Sequence, residues 1–142
     1  MKITICGSQT NSFKIHEIKN KLEKAGHVIY SHELMEQYAK GNKKVIAETK
    51  NNHAKMKINN NTFKWYYEKI KQSDAILVCN FEKNNTPGYI GGSVLMEIGY
   101  AYVLDKKIYF LFPLPEVNYK DELIAAQPII LNGDIAKIDN HN

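Results

Sequence analysis

Five consecutive apolar residues, Ala75 to Cys79, follow Asp74 without a polar interruption. A strand with one wet face alternates polar and apolar side chains, whereas an unbroken run of this length between turn formers suits a strand covered on both faces. Helices that cross over between parallel strands provide such cover, so this run points to an α/β architecture. It is expected to be the central strand.

The rest of the chain alternates accordingly. Residues 2–6 read as a first strand ending at Gly7-Ser8, and HVIY at 27–30 as a second. Between them Ile15, Ile18, Leu22 and Ala25 form one helical stripe that starts at Asn11 or Ser12 and stops at Gly26. The polar, Asn-rich stretch 31–72 is expected to hold two helices separated near Lys40-Gly41-Asn42. A turn-rich loop, Asn80 to Gly92, leads to the helix SVLMEIGYAYVL. KIYFLF at 107–112 gives another strand, and a short helix near 119–126 precedes a last strand at 128–131. The expectation is one domain over 1–142, a parallel sheet of about five strands flanked by helices, Rossmann-like or flavodoxin-like. In such sheets ligands bind at the carboxyl ends of the strands.

Length and composition bound the functional classes. A chain of 142 residues buries an adequate core without disulfide or metal staples. Cys6 and Cys79 each end an apolar run and read as small buried thiols. His16, His27, His32, His53 and His141 lack ligand spacing, so no metal or other cofactor is expected. No signal-like or membrane-spanning segment is evident, and the expected location is cytoplasmic. The net charge of +4 is local, with nine Lys against Glu48 and Glu68 over residues 40–71. All 19 basic residues are Lys. Without Arg, which dominates base-edge readout, this stripe reads as a solvated helical face rather than a nucleic-acid surface.

One residue breaks the pattern. Between Ser93 and Leu104 every side chain is apolar except Ser93, the candidate N-cap, and Glu97, with Gly99 between them. Val94, Glu97, Ala101 and Leu104 share a stripe, so the carboxyl points among apolar neighbours. An ionised carboxylate there is costly unless paired or close to water. A salt bridge or a contact with the helix N-terminus is the structural explanation; a functional site is the other. Gly91-Gly92-Ser93 offers backbone N–H groups and a hydroxyl at that N-terminus, and Gly7-Ser8-Gln9 offers a second cradle on the same sheet edge.

ICGS at 5–8, SDAILVCNF at 73–81 and GGSVLMEIGYAYVLDKKI at 91–108 together resemble the nucleoside 2-deoxyribosyltransferase superfamily, which includes nucleoside and nucleotide N-glycosidases. The resemblance implies that Glu97 is the nucleophile at the anomeric carbon. It also implies that Ser8 lies in a loop which, in the nucleotide-hydrolysing branch, touches the phosphate end of the substrate. The chain departs from the family at Gly91, at Tyr66 and at Thr4, where members carry an acid or hydroxyl, an Asp and a Tyr respectively. Glu68, Asn80, Tyr89 and Ser93 are candidate substitutes. The substrate-binding set is therefore Gly7, Ser8, Gln9, Tyr66, Asn80, Tyr89, Gly91, Gly92 and Ser93. Asn132, in the LNGD turn, is expected to complete the pocket of a neighbouring subunit, because the resemblance implies a homodimer or higher homo-oligomer. PGYIGGSVLMEI also resembles, over a shorter span, the PGGxGTxxE motif of lysine-decarboxylase-like nucleoside monophosphate phosphoribohydrolases.

Two readings follow. In the first, the chain is an enzyme, hydrolase or transferase, acting on the N-glycosidic bond of a small-molecule nucleoside or nucleotide. In the second, it is a non-catalytic nucleotide sensor whose Glu97 hydrogen-bonds ribose hydroxyls.

Overall fold

The computed structural model of the protein describes residues 1–141, with side chains through Ile138. Its centre is a five-stranded, all-parallel sheet in the order β2-β1-β3-β4-β5. The strands are β1 (Lys2–Gly7), β2 (Val28–Tyr30), β3 (Ala75–Cys79), β4 (Lys107–Phe110) and β5 (Ile129–Ile130). This is the flavodoxin-like order, and the chain reverses direction across the sheet between β1 and β3.

All five residues of β3 are buried, as its unbroken apolar run requires. Leu77 and Cys79 face a core layer with Ile3, Ile5, Ile15 and Leu22, against α1 (Ser12–Lys24). Ile76 and Val78 face the opposite layer, with Ile70 of α5 (Thr62–Gln72) and Val94, Ile98 and Ala101 of α6 (Gly92–Val103). Each layer buries more than ten residues, and burial of apolar side chains is the main favourable contribution to folding. Asp74 anchors locally, its carboxylate accepting from the Lys2 amide at 2.7 Å.

The region 31–72 departs from expectation, with four helices rather than two: α2 (Glu33–Ala39), α3 (Lys43–Asn51), α4 (His53–Asn59) and α5. The break at 40–42 is present. Two more occur at Asn52, which leaves helical geometry at φ −140°, and at Asn61, which takes the left-handed conformation at φ 51°. Asn tolerates both because its short amide competes for nearby backbone groups. Leu34, Val45 and Met56 form a small core of their own beneath these helices.

Two further differences concern ends. Strand β4 stops at Phe110 rather than 112, because the backbone N–H and C=O of Phe112 are taken by the Asn80 side chain. Helix α6 is capped by Gly91, not Ser93, and no side-chain cap hydrogen bond forms there among the described residues. Nor is α6 enclosed all round, since Met96, Tyr102 and Val103 are exposed. No helix among the described residues is long and apolar enough to cross a membrane. A short helix α7 (Lys120–Ala125) and a final 3-10 turn, Ile135–His141, complete the chain.

Candidate active site

Where β1 and β3 end side by side, Gly7 opposite Cys79, the chain leaves the sheet toward opposite faces and opens a crevice. A cavity of about 280 Å³ occupies it. Gly7 lets the floor pack closely: a Cβ there would stand 2.6 Å from Ile15 Cδ1, the tip of a side chain that would have to shift, and 3.3 Å from the Cys79 carbonyl. Ser12 pins the loop by donating its buried hydroxyl to the Gln9 carbonyl.

Glu97 reaches this cavity from the second turn of α6 and is only 4% exposed. Its Oε2 has no hydrogen-bond partner among the described residues, and neither has Nε2 of Gln9, also on the lining. Two orphaned polar atoms on one cavity wall are unusual in a folded interior, where such groups are normally paired. Burial pushes the Glu97 carboxyl up to about 8, with Lys57 opposing the shift. Desolvation thus outweighs both Lys57 and the helix N-terminus, whose influence is worth about 1 kcal/mol.

The residues singled out from sequence distribute clearly. Gly7, Ser8, Gln9, Tyr66, Asn80, Tyr89, Gly91, Gly92 and Ser93 line the cavity together with Glu97. Tyr66 is driven well above its ordinary value by burial and then by Glu97, so it is a neutral phenol in the site. Asn80 is already occupied. Its Nδ2 donates to the carbonyls of Phe112 at 2.9 Å and Pro113 at 3.2 Å, and its Oδ1 accepts from Phe112 N at 2.9 Å. It holds the 112–113 loop in place and has little capacity for a ligand. Asn132 is not on this lining. It takes a left-handed turn with Gly133 after β5, and the role the resemblance implies for it concerns a second copy. Glu68 is exposed on α5 and does not line the cavity either.

Several lining residues escaped the sequence reading. Lys57, on α4, donates to Ser93 Oγ, so Ser93 is a contact across the cavity rather than a cap. Lys83, in the loop before α6, donates to Ser8 Oγ at 2.9 Å and lies 5.6 Å from the Tyr89 ring centroid. His53, Phe63 and His32 complete the rim. His32 caps α2 by accepting from the Leu34 amide at 3.0 Å, and burial lowers its basicity. Most lysines of 40–71 are exposed, as a solvated face requires, but Lys57 is half-buried. Its neighbour Met56 packs in the small core and its own ammonium reaches Ser93, and both contacts are tertiary.

Chemically, the site joins a dehydrated carboxyl, two backbone cradles and two ammonium groups around a cavity of about 280 Å³. Among the described residues, no three His, Cys, Asp or Glu side chains gather to hold a metal ion. Comparison with known proteins found no family model, no curated protein and no solved structure that matches this chain.

Proposed function

We propose that the protein cleaves or exchanges the N-glycosidic bond of a (deoxy)nucleoside or nucleotide, with Glu97 as the nucleophile. The supporting observation is the buried carboxyl of Glu97, whose Oε2 has no partner among the described residues, on the wall of a cavity of about 280 Å³ at the sheet's switch point. A Glu97 oxygen bonds to the anomeric carbon as the bond to the base breaks, its electron pair leaving with the base. The departing base takes up a proton from water, and the incoming water or second base gives one back when it displaces the carboxylate. Water or a second base then displaces the carboxylate from the opposite direction, giving net retention.

A second reading is favoured by one observation. With its carboxyl pushed up to about 8, Glu97 is mostly a hydrogen-bond donor at neutral pH, as suits a sensor that grips ribose hydroxyls without turnover. Homo-oligomerisation accompanies the first reading, supported by the exposed apolar Met96, Tyr102 and Val103 on α6. Incubation with ribonucleosides, deoxynucleosides and their monophosphates, followed by chromatography of free base, tests the proposal. Release by the wild type and its loss in Glu97→Gln are expected. No release from any substrate, or equal release by the variant, rejects it.

A further inference from the structure

Lys57 is a nitrogen nucleophile that glycosidic cleavage leaves unused. It comes from α4, is half-buried, and turns its terminal nitrogen into the cavity and onto the neutral Ser93 hydroxyl. No ion pair joins it to a carboxylate among the described residues, although Lys19 and Lys120 form such pairs. Lysine stems are long and ordinarily carry their charge into water. Lys57 instead lies with its nitrogen 5.9 Å from the centroid of the Phe63 ring, at an apolar flank of the cavity.

Two surroundings convert an ammonium into a nucleophilic amine: desolvation and a second cation nearby. Lys57 has both. Burial lowers its basicity, Glu97 opposes that, and Lys83 on the same lining adds to it. The matching acid stands beside it. Ser93 and Glu97 are one turn apart on α6, so the Lys57 nitrogen and the Glu97 carboxyl face one volume of about 280 Å³ with no ion pair between them. Glu97 Oε2 has no partner, and with its carboxyl pushed up to about 8 it holds a proton to give at neutral pH. An amine and a carboxylic acid on one cavity wall supply the two groups that condensation with a carbonyl requires, a nucleophile for the carbon and a proton for the departing oxygen. A salt bridge between them would quench both.

We infer that Lys57 forms an imine with small polyhydroxy aldehydes in this cavity, with Glu97 as the proton donor. The Lys57 nitrogen bonds to the aldehyde carbon and passes one of its protons to the carbonyl oxygen, giving a carbinolamine. Glu97 then gives its proton to that hydroxyl, the carbon–oxygen bond breaks, water leaves, and an iminium remains beside the Glu97 carboxylate. Nothing is oxidised or reduced. The Ser8 hydroxyl and the unpartnered Gln9 Nε2, on the same lining, suit the hydroxyl groups of such a ligand. The reaction needs a free aldehyde and neither a base nor a phosphate, so it stands apart from the cleavage proposed above.

Reductive trapping tests it. The wild-type protein is incubated at neutral pH with glycolaldehyde, glyceraldehyde or 2-deoxyribose and sodium cyanoborohydride, then digested and mapped by mass spectrometry. Modification of Lys57 should run about tenfold or more faster than at any other of the 19 lysines or at the amino terminus, and should saturate with aldehyde concentration. Lys57→Arg keeps the charge and should abolish the fast adduct, leaving the slow modification of exposed lysines. Glu97→Gln should slow the reaction at Lys57 about tenfold or more, the least that a general acid contributes. Lys64→Gln, at an exposed position, should leave it unchanged. Circular dichroism checks that the variants fold, and the wild-type map decides the matter without them. Labelling spread evenly over the lysines, a rate at Lys57 that fails to saturate, or undiminished labelling in a folded Glu97→Gln protein overturns the inference. Fast labelling of Lys57 without base release from any nucleoside keeps the imine and rejects the glycosidase. Base release without preferential labelling of Lys57 does the reverse.

Discussion

Ser93 and Glu97 stand one turn apart on α6, and the ammonium of Lys57 lies on the Ser93 hydroxyl. The same lysine is the charge that opposes burial at the Glu97 carboxyl. Side chains four apart share a helix face, so one cation from α4 serves both residues.

This relationship predicts the pH dependence of turnover. Attack needs the ionised carboxylate, and the resting carboxyl is pushed up to about 8. About a tenth of the sites are then ionised at pH 7 and about nine-tenths at pH 9. The quantity kcat/KM should therefore rise roughly tenfold across that interval, with the limb displaced to higher pH in Lys57→Gln. A flat or falling profile for base release argues against Glu97 as nucleophile.

The same shift predicts a stability gain. The folded protein keeps a proton on Glu97 that the unfolded chain releases above the ordinary value of 4.5. Folding stability from this group is thus complete below pH 4.5 and is lost progressively as pH rises to about 8. Glutamine has no such titration. Glu97→Gln should be more stable than the wild type by roughly 3 kcal/mol at pH 7 and by little at pH 4.5. Urea melts at several pH values measure the difference, and parallel curves for both proteins contradict it.

The extent to which this was legible in sequence differs between core and site. The run Ala75–Cys79 announces a strand buried on both faces because its composition leaves no polar side, and the structure covers both. Glu97 stood out for the same reason, as one charge in an apolar helix. Asn52 and Asn61 were harder, since Asn within a polar stretch is as common in helix interiors' flanks as at breaks. Lys57 and Lys83 were not legible, because a lysine that folds inward has the same letter as one that does not. Their direction shows only in contacts between distant parts of the chain, Lys57 with Ser93 and Lys83 with Ser8.

Glycine substitutions separate backbone need from mere tolerance. Gly88 has φ +69°, and a Cβ there would stand 2.4 Å from the Pro113 carbonyl. Gly99 lies within α6 with open space around the same atom. Gly88→Ala should cost about 2–4 kcal/mol, combining strain with a backbone clash. Gly99→Ala should gain up to about 1 kcal/mol from helix propensity. Thermal denaturation of the two variants should move in opposite directions; a shift of the same sign in both contradicts this reading.

Asn80 provides the sharpest test of how the rim is held. It is buried, and its amide spans the end of β3 and the 112–113 loop, donating to two carbonyls and accepting from the Phe112 amide. Asn80→Ala removes these bonds, and with them a longer one from Nδ2 to the Gly88 carbonyl, and leaves buried backbone groups unpaired, at about 1–3 kcal/mol for such a group. Asn80→Asp preserves the shape but replaces the donor with an acceptor. An oxygen then faces the carbonyls of Phe112 and Pro113, and its negative charge is desolvated as well. The aspartate variant should therefore be less stable than the alanine variant at pH 7, despite being the closer isostere. Lowering the pH protonates the carboxyl and restores a donor, so the order should narrow in acid. Hydrogen exchange at Leu111 and Phe112 reports the loop directly and should accelerate in both variants. Slow exchange there, with an aspartate variant as stable as wild type, would show that the loop is held by other contacts.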